Sequence, residues 1–294
     1  MIEELKTFIT VVEVKNFTKA ADQLNLSQPS VSNHIKNLEN YFGVTLINRS
    51  VKQKSIFITE RGYTLYNKAK EIMTLLETTY MEIQNKSDSV KGSIKVGASF
   101  TIGEYVLPDF LAYFTKKYPD VDIEVIIENT SSICNESKDV MLDIGLIEGT
   151  FSSSSFEQEY FSRDEMVLAL PYNNNIVGED FSIKNLQNQR WIAREEGSGT
   201  REFLNMFLSV NKITPENIMI LGSNYAVKEA VKNNLGITII SKLVATPAVK
   251  NNEISIVDLG ENYIRCFSYI LPKHITKSKA TKVFLEELKE YFKM

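Results

Sequence analysis

Apolar residues fall at Leu5, Phe8, Ile9 and Val12, the i, i+3, i+4, i+7 spacing of an amphipathic helix. Asn16-Phe17-Thr18 interrupts the stripe. Thr18 is a suitable N-cap for a short second helix, Lys19–Leu24, whose Ala20 and Ala21 let a neighbouring helix approach closely. Asn25-Leu26 turns the chain. Ser27 is a stronger N-cap, with Pro29 in a first turn where its missing N–H costs nothing. The spacing predicts a third helix to about Tyr41 that buries Val31, Ile35, Leu38 and Phe42 and stops at Gly43. Apolar runs at 45–49 and 56–59 flank a basic segment and predict a β-hairpin wing with Arg49, Lys52 and Lys54 near its tip. From Thr59 to Gln84 there is no proline. Leu65, Ala69, Ile72, Met73, Leu76, Tyr80 and Ile83 recur at threes and fours, which predicts a helix of about 39 Å, too long to bury against sixty residues. The polar stretch 85–89 reads as a hinge.

After Gly92 the pattern changes. Strand-like runs at 94–98, 121–127, 142–147, 166–170, 191–193, 218–221, 236–240 and 267–271 alternate with helical runs at 105–118, 131–138, 202–210, 225–233 and 279–292. The last of these is expected to bury Val283, Phe284, Leu288 and Phe292. Alternation of this kind predicts parallel βαβ units. The chain is thus multi-domain, an all-α head with a long helix followed by an α/β body.

Short helix, tight turn and capped longer helix form a helix-turn-helix. Gln28, Ser30, Ser32, Asn33, His34 and Lys36 occupy the outer face of the third helix, and they have the reach and hydrogen-bonding character to meet base edges and phosphates. The same spacing also suits a three-helix bundle with a solvated polar face. Composition narrows the field. The 294 residues are 43% hydrophobic and 24% charged, an ordinary globular balance. Net charge is −4, but residues 1–91 hold twelve Lys/Arg against ten Asp/Glu, whereas the remainder holds 21 against 27. A slightly basic head precedes an acidic body. No run approaches the roughly 18 apolar residues of a membrane span, the N-terminus lacks a secretory pattern, and two cysteines are too few for a disulfide framework. The expected location is the cytoplasm.

The segment NFTKAADQLNLSQPSVSNHIKNLENYFGVTLINRS, followed by FITERGYTLYNKA, resembles the winged helix-turn-helix of LysR-type transcriptional regulators. The resemblance implies double-stranded DNA as partner, with the segment Gln28–Lys36 in the major groove; the candidate DNA-binding residues are Thr18, Ser27, Gln28, Pro29, Ser30, Ser32, Asn33, His34 and Lys36, together with Arg49, Lys52 and Lys54, which the hairpin pattern places to meet the phosphate backbone. Many members carry arginine where this chain has Asn33, so a bidentate contact to guanine is replaced by one suited to adenine. The resemblance further implies a homodimer through the long helix, a homotetramer, and contact with RNA polymerase. In its terms residues 1–58 bind DNA, 59–88 link and dimerise, and 92–294 bind an effector.

The body is similar in order to the family's effector domain, itself like the two-lobed periplasmic solute-binding proteins, through KVGAS, LPDFLAYFTKKYP, LDIGLIEG, LALP, GSNYAVKEAVKNNLGITIIS and ILPK. Lobe one is expected at 92–160 and 268–294, lobe two at 161–267. Ligands in such folds lie beyond the carboxyl ends of strands and at helix N-termini. Three segments qualify, Ser99-Phe100-Thr101, Asn129-Thr130-Ser131 and Glu196-Gly197-Ser198-Gly199-Thr200-Arg201. The last has the makings of an anion cradle, and equally of an ordinary strand-to-helix turn. E-G-S-G-T-R also resembles the segment of family members that sense small anions. The expected effector is therefore a small anion, with Glu148 and Asn224 also lining the cleft and Glu148 and Glu196 opposing it unless paired with arginine.

Enzymatic readings lack parts. His34 and His274 are the only histidines, and zinc-ligand spacings, a nucleophile elbow and a phosphate loop are all missing, so no catalytic residue, metal or cofactor is assigned. Cys134 and Cys266 read as inert thiols. The competing reading is a cytoplasmic small-molecule-binding protein with no regulatory role.

Overall fold

A computed structural model describes residues 1–50, 55–83, 90–139, 141–149, 156–172, 182–273 and 277–293. They divide into two compact units, one of residues 1–90, 139–141 and 274–279, the other of 91–138, 142–273 and 280–294.

The first unit begins with α1 (Ile2–Val14), α2 (Phe17–Leu24) and α3 (Gln28–Phe42). Their buried faces meet in one core of Leu5, Phe8, Val11, Val12, Phe17, Ala20, Ala21, Val31, Ile35 and Leu38. Two expectations need correction. Asn16, not Thr18, caps α2, because its side-chain oxygen accepts from the N–H groups of both Thr18 (2.9 Å) and Lys19 (3.0 Å). Thr18 lies inside the helix. Phe42 is 45% exposed, since at the last residue of α3 the apolar stripe runs past the core.

The wing is β1 (Ile47–Ser50) paired antiparallel with β2 (Ser55–Ile58), Ser50 opposite Ser55. Lys52, Lys54, the Arg49 side chain and the hinge 85–89 lie outside the described residues. Glu39 fastens the wing to α3 by accepting from the N–H of Leu46 (2.8 Å) and Ile47 (3.2 Å). Thr59 then caps α4 (Glu60–Ile83) through the Gly62 N–H. At Gly62 a Cβ would stand 2.4 Å from the Leu46 carbonyl oxygen, so the glycine of FITERGYTLYNKA is a packing requirement. At ~1.5 Å per residue α4 is about 36 Å long. Tyr66 and Ala69 on its first half are buried, whereas Leu75, Tyr80 and Ile83 on its second half are 60%, 60% and 74% exposed.

The second unit has two lobes that share strands. In lobe one, β3 (Gly92–Ser99) lies between β4 (Val121–Glu128) and β5 (Ile144–Glu148), both parallel to it. Helices α5 (Phe100–Tyr105), α6 (Leu107–Lys117) and α7 (Thr130–Lys138) connect them. The single helix expected at 105–118 thus starts earlier and is interrupted at Val106, because Pro108 has no N–H with which to continue the hydrogen-bond ladder of α5. The sixteen-residue β6 (Phe156–Pro171) and β11 (Ile264–Pro272) run antiparallel, with β11 also paired to β5. The far half of β6 then pairs with β9 (Thr238–Ser241) and β10 (Ile254–Asp258) in lobe two. A two-stranded parallel sheet of β7 (Trp191–Arg194) and β8 (Ile218–Leu221), with α8 (Gly199–Val210), α9 (Asn224–Lys232) and α10 (Lys242–Lys250), completes that lobe. The terminal α11 (Lys279–Tyr291) packs Phe284 edge-on against Phe110 at 5.0 Å. Val283 and Phe292 are only half-buried, because Glu287 takes the inner position and collects Tyr113, Lys117 and Tyr118 at 2.6–2.7 Å.

Candidate functional site

On α3 the polar residues form a surface over a rigid support. Ser27 caps the helix through the Ser30 N–H (3.2 Å) and shares a second hydrogen bond with the Ser30 hydroxyl at 2.7 Å. Gln28 donates to Ser32 Oγ at 2.9 Å, one turn along, which holds both side chains on one flank. Gln28, Pro29, Asn33 and Lys36 are exposed, whereas Ser30, Ser32 and His34 are half-buried. His34 Nδ1 is hydrogen-bonded to Thr7 Oγ1 of α1 at 2.8 Å. The other ring nitrogen makes no hydrogen bond among the described residues and keeps access to solvent. Directly behind this face Val31, Ile35 and Leu38 are buried to 2% exposure or less. Such a surface can meet a groove without reorganising.

In the second unit the three predicted segments converge with residues the sequence reading missed. Thr101, Glu148, Thr200 and Asn224 are buried, and so are Arg194, Arg265 and Asp164. Arg265 is the hub. It donates to Glu148 (2.6 Å), Asp164 (2.8 Å), Thr200 (3.1 Å) and Thr101 (3.0 Å). Glu148 also accepts from the Thr101 N–H (3.0 Å) and the Thr200 hydroxyl (3.3 Å). Asn224 joins Thr101 (3.0 Å) to Arg194 (2.6 Å). Arg194 is bidentate to Glu195, 2.7 Å on both arms, and lies against the Phe100 ring at 4.5 Å. Across the lobes, the Ser131 N–H donates to the Gly197 carbonyl at 3.0 Å.

The carboxylate of Glu148 therefore occupies donors that were expected to face an effector. Burial raises its pKa, but Arg265 and the Thr101 hydrogen bonds outweigh burial and hold it below the usual carboxylate value. Burial pushes Asp164 up in spite of Arg265. Glycine at 199 permits the arrangement, because a Cβ there would stand 2.7 Å from Glu148 Cβ. Glu196 is 80% exposed and touches Arg201 only at 3.5 Å, so it stands outside the cluster. Arg194, Arg201 and Arg265 against Glu148, Asp164 and Glu195, the last and Arg201 half-buried, make a formally neutral set.

Some hydrogen-bonding capacity remains unused. Thr130 Oγ1 and Arg201 Nε are buried without a partner, and Ser99 Oγ, which helps keep Glu148 ionised, has no partner of full hydrogen-bond geometry. Ser198, the N-cap of α8, makes no side-chain cap hydrogen bond to the first N–H groups of that helix, which have no intrahelical acceptors. Asn129 instead caps α7 through the Ser132 N–H at 3.0 Å. Arg265 and Arg194 carried one signal that could have found them, an arginine in the inward register of an otherwise apolar strand (IRCFSYILP, WIAR). Cys134, fully buried, has its thiol pushed up to about 12 by desolvation, which makes it unreactive.

A groove of about 810 Å³ runs between α1 and α4, lined by Ile2, Ile9, Met73, Leu76, Tyr80 and Ile83 with Lys6 and Lys70. Among the described residues no helix is long and apolar enough to cross a membrane, and no group of three or more His, Cys, Asp or Glu side chains could hold a metal.

Comparison with known proteins gives matches in both units. Residues 2–63 match the family described as bacterial regulatory helix-turn-helix protein, lysR family, and residues 87–293 match the LysR substrate binding domain. The HTH-type transcriptional regulator CysL of Bacillus subtilis (strain 168) is 43% identical over 290 residues, 98% of this chain and 96% of that protein. The fold is similar to that of a full-length OxyR variant from Pseudomonas aeruginosa, with a TM-score of 0.80 at 18% identity over 100% of this chain and 95% of that one. The regulatory domain of Synechocystis PCC6803 CcmR in complex with 2-PG has a TM-score of 0.63 at 22% identity, covering 69% of this chain and 98% of that one.

Proposed function

The chain belongs to the LysR family of transcriptional regulators, and on that premise we propose that α3 reads the major groove of an operator while a small anionic effector occupies the cleft of the second unit. The observation that carries the DNA half is the pairing of a buried apolar stripe, Val31, Ile35 and Leu38, with the outward Gln28, Asn33 and Lys36 on the same helix. Residues 1–58 then form the DNA-binding part, 59–88 the linker and 92–294 the effector part, with lobe one at 92–160 and 268–294 and lobe two at 161–267. Arg49, Lys52 and Lys54 of the wing neutralise phosphates.

The exposed second half of α4 and its groove support a homodimer through this helix. Two α3 helices then address half-sites about one DNA turn apart, ~34 Å, or a multiple of it. A tetramer, a cytoplasmic location and contact with RNA polymerase follow from the same role. The anionic character of the effector is supported by the unused donors, Thr130 Oγ1, Arg201 Nε and the first N–H groups of α8, in an interior with no excess charge. A structural neighbour's complex with 2-PG supports a small ligand in this fold.

A thermal-shift screen of the full chain against small inorganic and carboxylate anions tests the effector half, because a ligand of the folded state alone raises the melting temperature. The expected hit raises it and alters the footprint on the upstream intergenic DNA. A hit that leaves every footprint unchanged contradicts the regulatory link and favours a binding protein without regulatory role.

A further inference from the structure

Of the polar residues on α3, only His34 has one ring nitrogen committed to the protein interior and the other open to solvent. The hydrogen-bond chain behind it fixes which nitrogen carries the proton. Thr7 Oγ1 lies 2.8 Å from the Glu3 carbonyl oxygen and 2.8 Å from His34 Nδ1. A hydroxyl has one proton to give, and a carbonyl oxygen has none. Were that proton given to His34, two lone-pair oxygens would face each other at hydrogen-bond distance with nothing between them. With the proton on the Glu3 side, both contacts are satisfied, provided Nδ1 bears a hydrogen and donates it to Thr7. Nε2 of the neutral ring is then an acceptor.

Resting on the reading of α3 as the groove-facing helix, we propose that His34 is a specificity-determining residue held by Thr7 in its Nδ1–H tautomer. It presents Nε2 to accept from an exocyclic amino group in the major groove, adenine N6 or cytosine N4. Guanine and thymine offer only acceptors on that edge and are disfavoured at the position. Thr7, 1% exposed and one helix removed from the DNA, is a positioning residue acting through His34. The other tautomer would present a donor and invert the preference.

The chain has two histidines, which makes the tautomer directly readable. Solid-state NMR of the full chain labelled with 15N-histidine, at pH 8, is expected to show a protonated Nδ1 and a bare Nε2, assigned to His34 by their loss in His34→Gln. Selection from a random-sequence duplex library supplies the second readout. Wild type and Thr7→Ser, which keeps the hydroxyl, are expected to enrich adenine or cytosine at one position per half-site, and Thr7→Val to lose roughly five- to tenfold of that preference. A protonated Nε2 in the wild-type ring overturns the proposal even if DNA is bound. So does a base preference unchanged in both His34→Ala and Thr7→Val. A chain that selects no sequence at all overturns the groove-reading premise, and the proposal with it, whatever the NMR shows. Because the NMR arm does not use Thr7→Val, poor folding of that variant leaves the test intact.

Discussion

The outer face of α3 and the cleft of the second unit are both built from polar side chains, but they stand in opposite relations to solvent. On α3 the apolar stripe carries the stability and the polar residues look outward. In the cleft, Glu148, Asp164 and Arg265 are themselves buried, at 3%, 2% and 6% exposure, and hold one another. Polar function on a surface is separable from folding, whereas polar function in an interior is not, because each buried charge needs its partner in order to be there at all.

The strongest way to break this contrast is Arg265→Met. It strands two buried carboxylates and is expected to cost about 3–5 kcal/mol of stability, measured by denaturant unfolding of the full chain. A loss below about 1 kcal/mol would mean that the charges are not interdependent. Next in size is the opposite signature on α3. Gln28→Ala with Ser32→Ala should leave stability within about 0.5 kcal/mol while weakening operator binding tenfold or more. Mobility shifts beside thermal melts separate the two effects, and a shared drop would place these side chains in the fold rather than at the groove.

Acid sharpens the comparison within the cleft. The pKa of Glu148 is depressed below 4.5, so its contribution to stability is complete above that value and is lost as the pH falls through its folded-state pKa. Asp164 is raised and works in the opposite sense, its ionisation costing stability. The difference between wild type and Glu148→Gln isolates Glu148. The gap in unfolding free energy should be widest near neutrality and close as the pH drops below 4.5, and a gap constant with pH would contradict the ionised assignment. A small effect on stability is likewise expected of Thr130→Val. Its hydroxyl is buried without a partner, so removing it should change stability by no more than about 1 kcal/mol, with no loss, yet weaken effector binding by calorimetry. A marked loss of stability there would show that the hydroxyl serves the fold.

The two regions also differ in how far they could be read in the sequence. The elements of α3 are local. Its cap, proline, apolar stripe and glycine lie within seventeen residues, each with a short-range cause, so helix and outward face were legible together. The misplaced cap of α2 was a matter of two residues, Asn16 offering two N–H contacts where Thr18 offers none. The cleft is non-local. Arg265 meets Glu148 and Asp164 from 117 and 101 residues away, and no spacing rule reaches that far. Only the donor-bearing turns, which sit beside strand ends, announced themselves. The near half of β6, FEQEYFSRDE, is polar enough to read as a connection because only Phe156, Phe161 and Asp164 of it turn inward, yet it pairs with β11 on both sides of a register shift at Phe161.

Whether the face beginning at Ser27 engages duplex DNA is decided by fluorescence anisotropy of the full chain on its own upstream intergenic duplex. Binding is expected whose logarithm falls linearly with the logarithm of salt concentration, each phosphate contact adding about 0.9 to the slope, and which Gln28→Ala with Ser32→Ala weakens without flattening that slope. Salt-insensitive binding, or affinity untouched by those two substitutions, would contradict it.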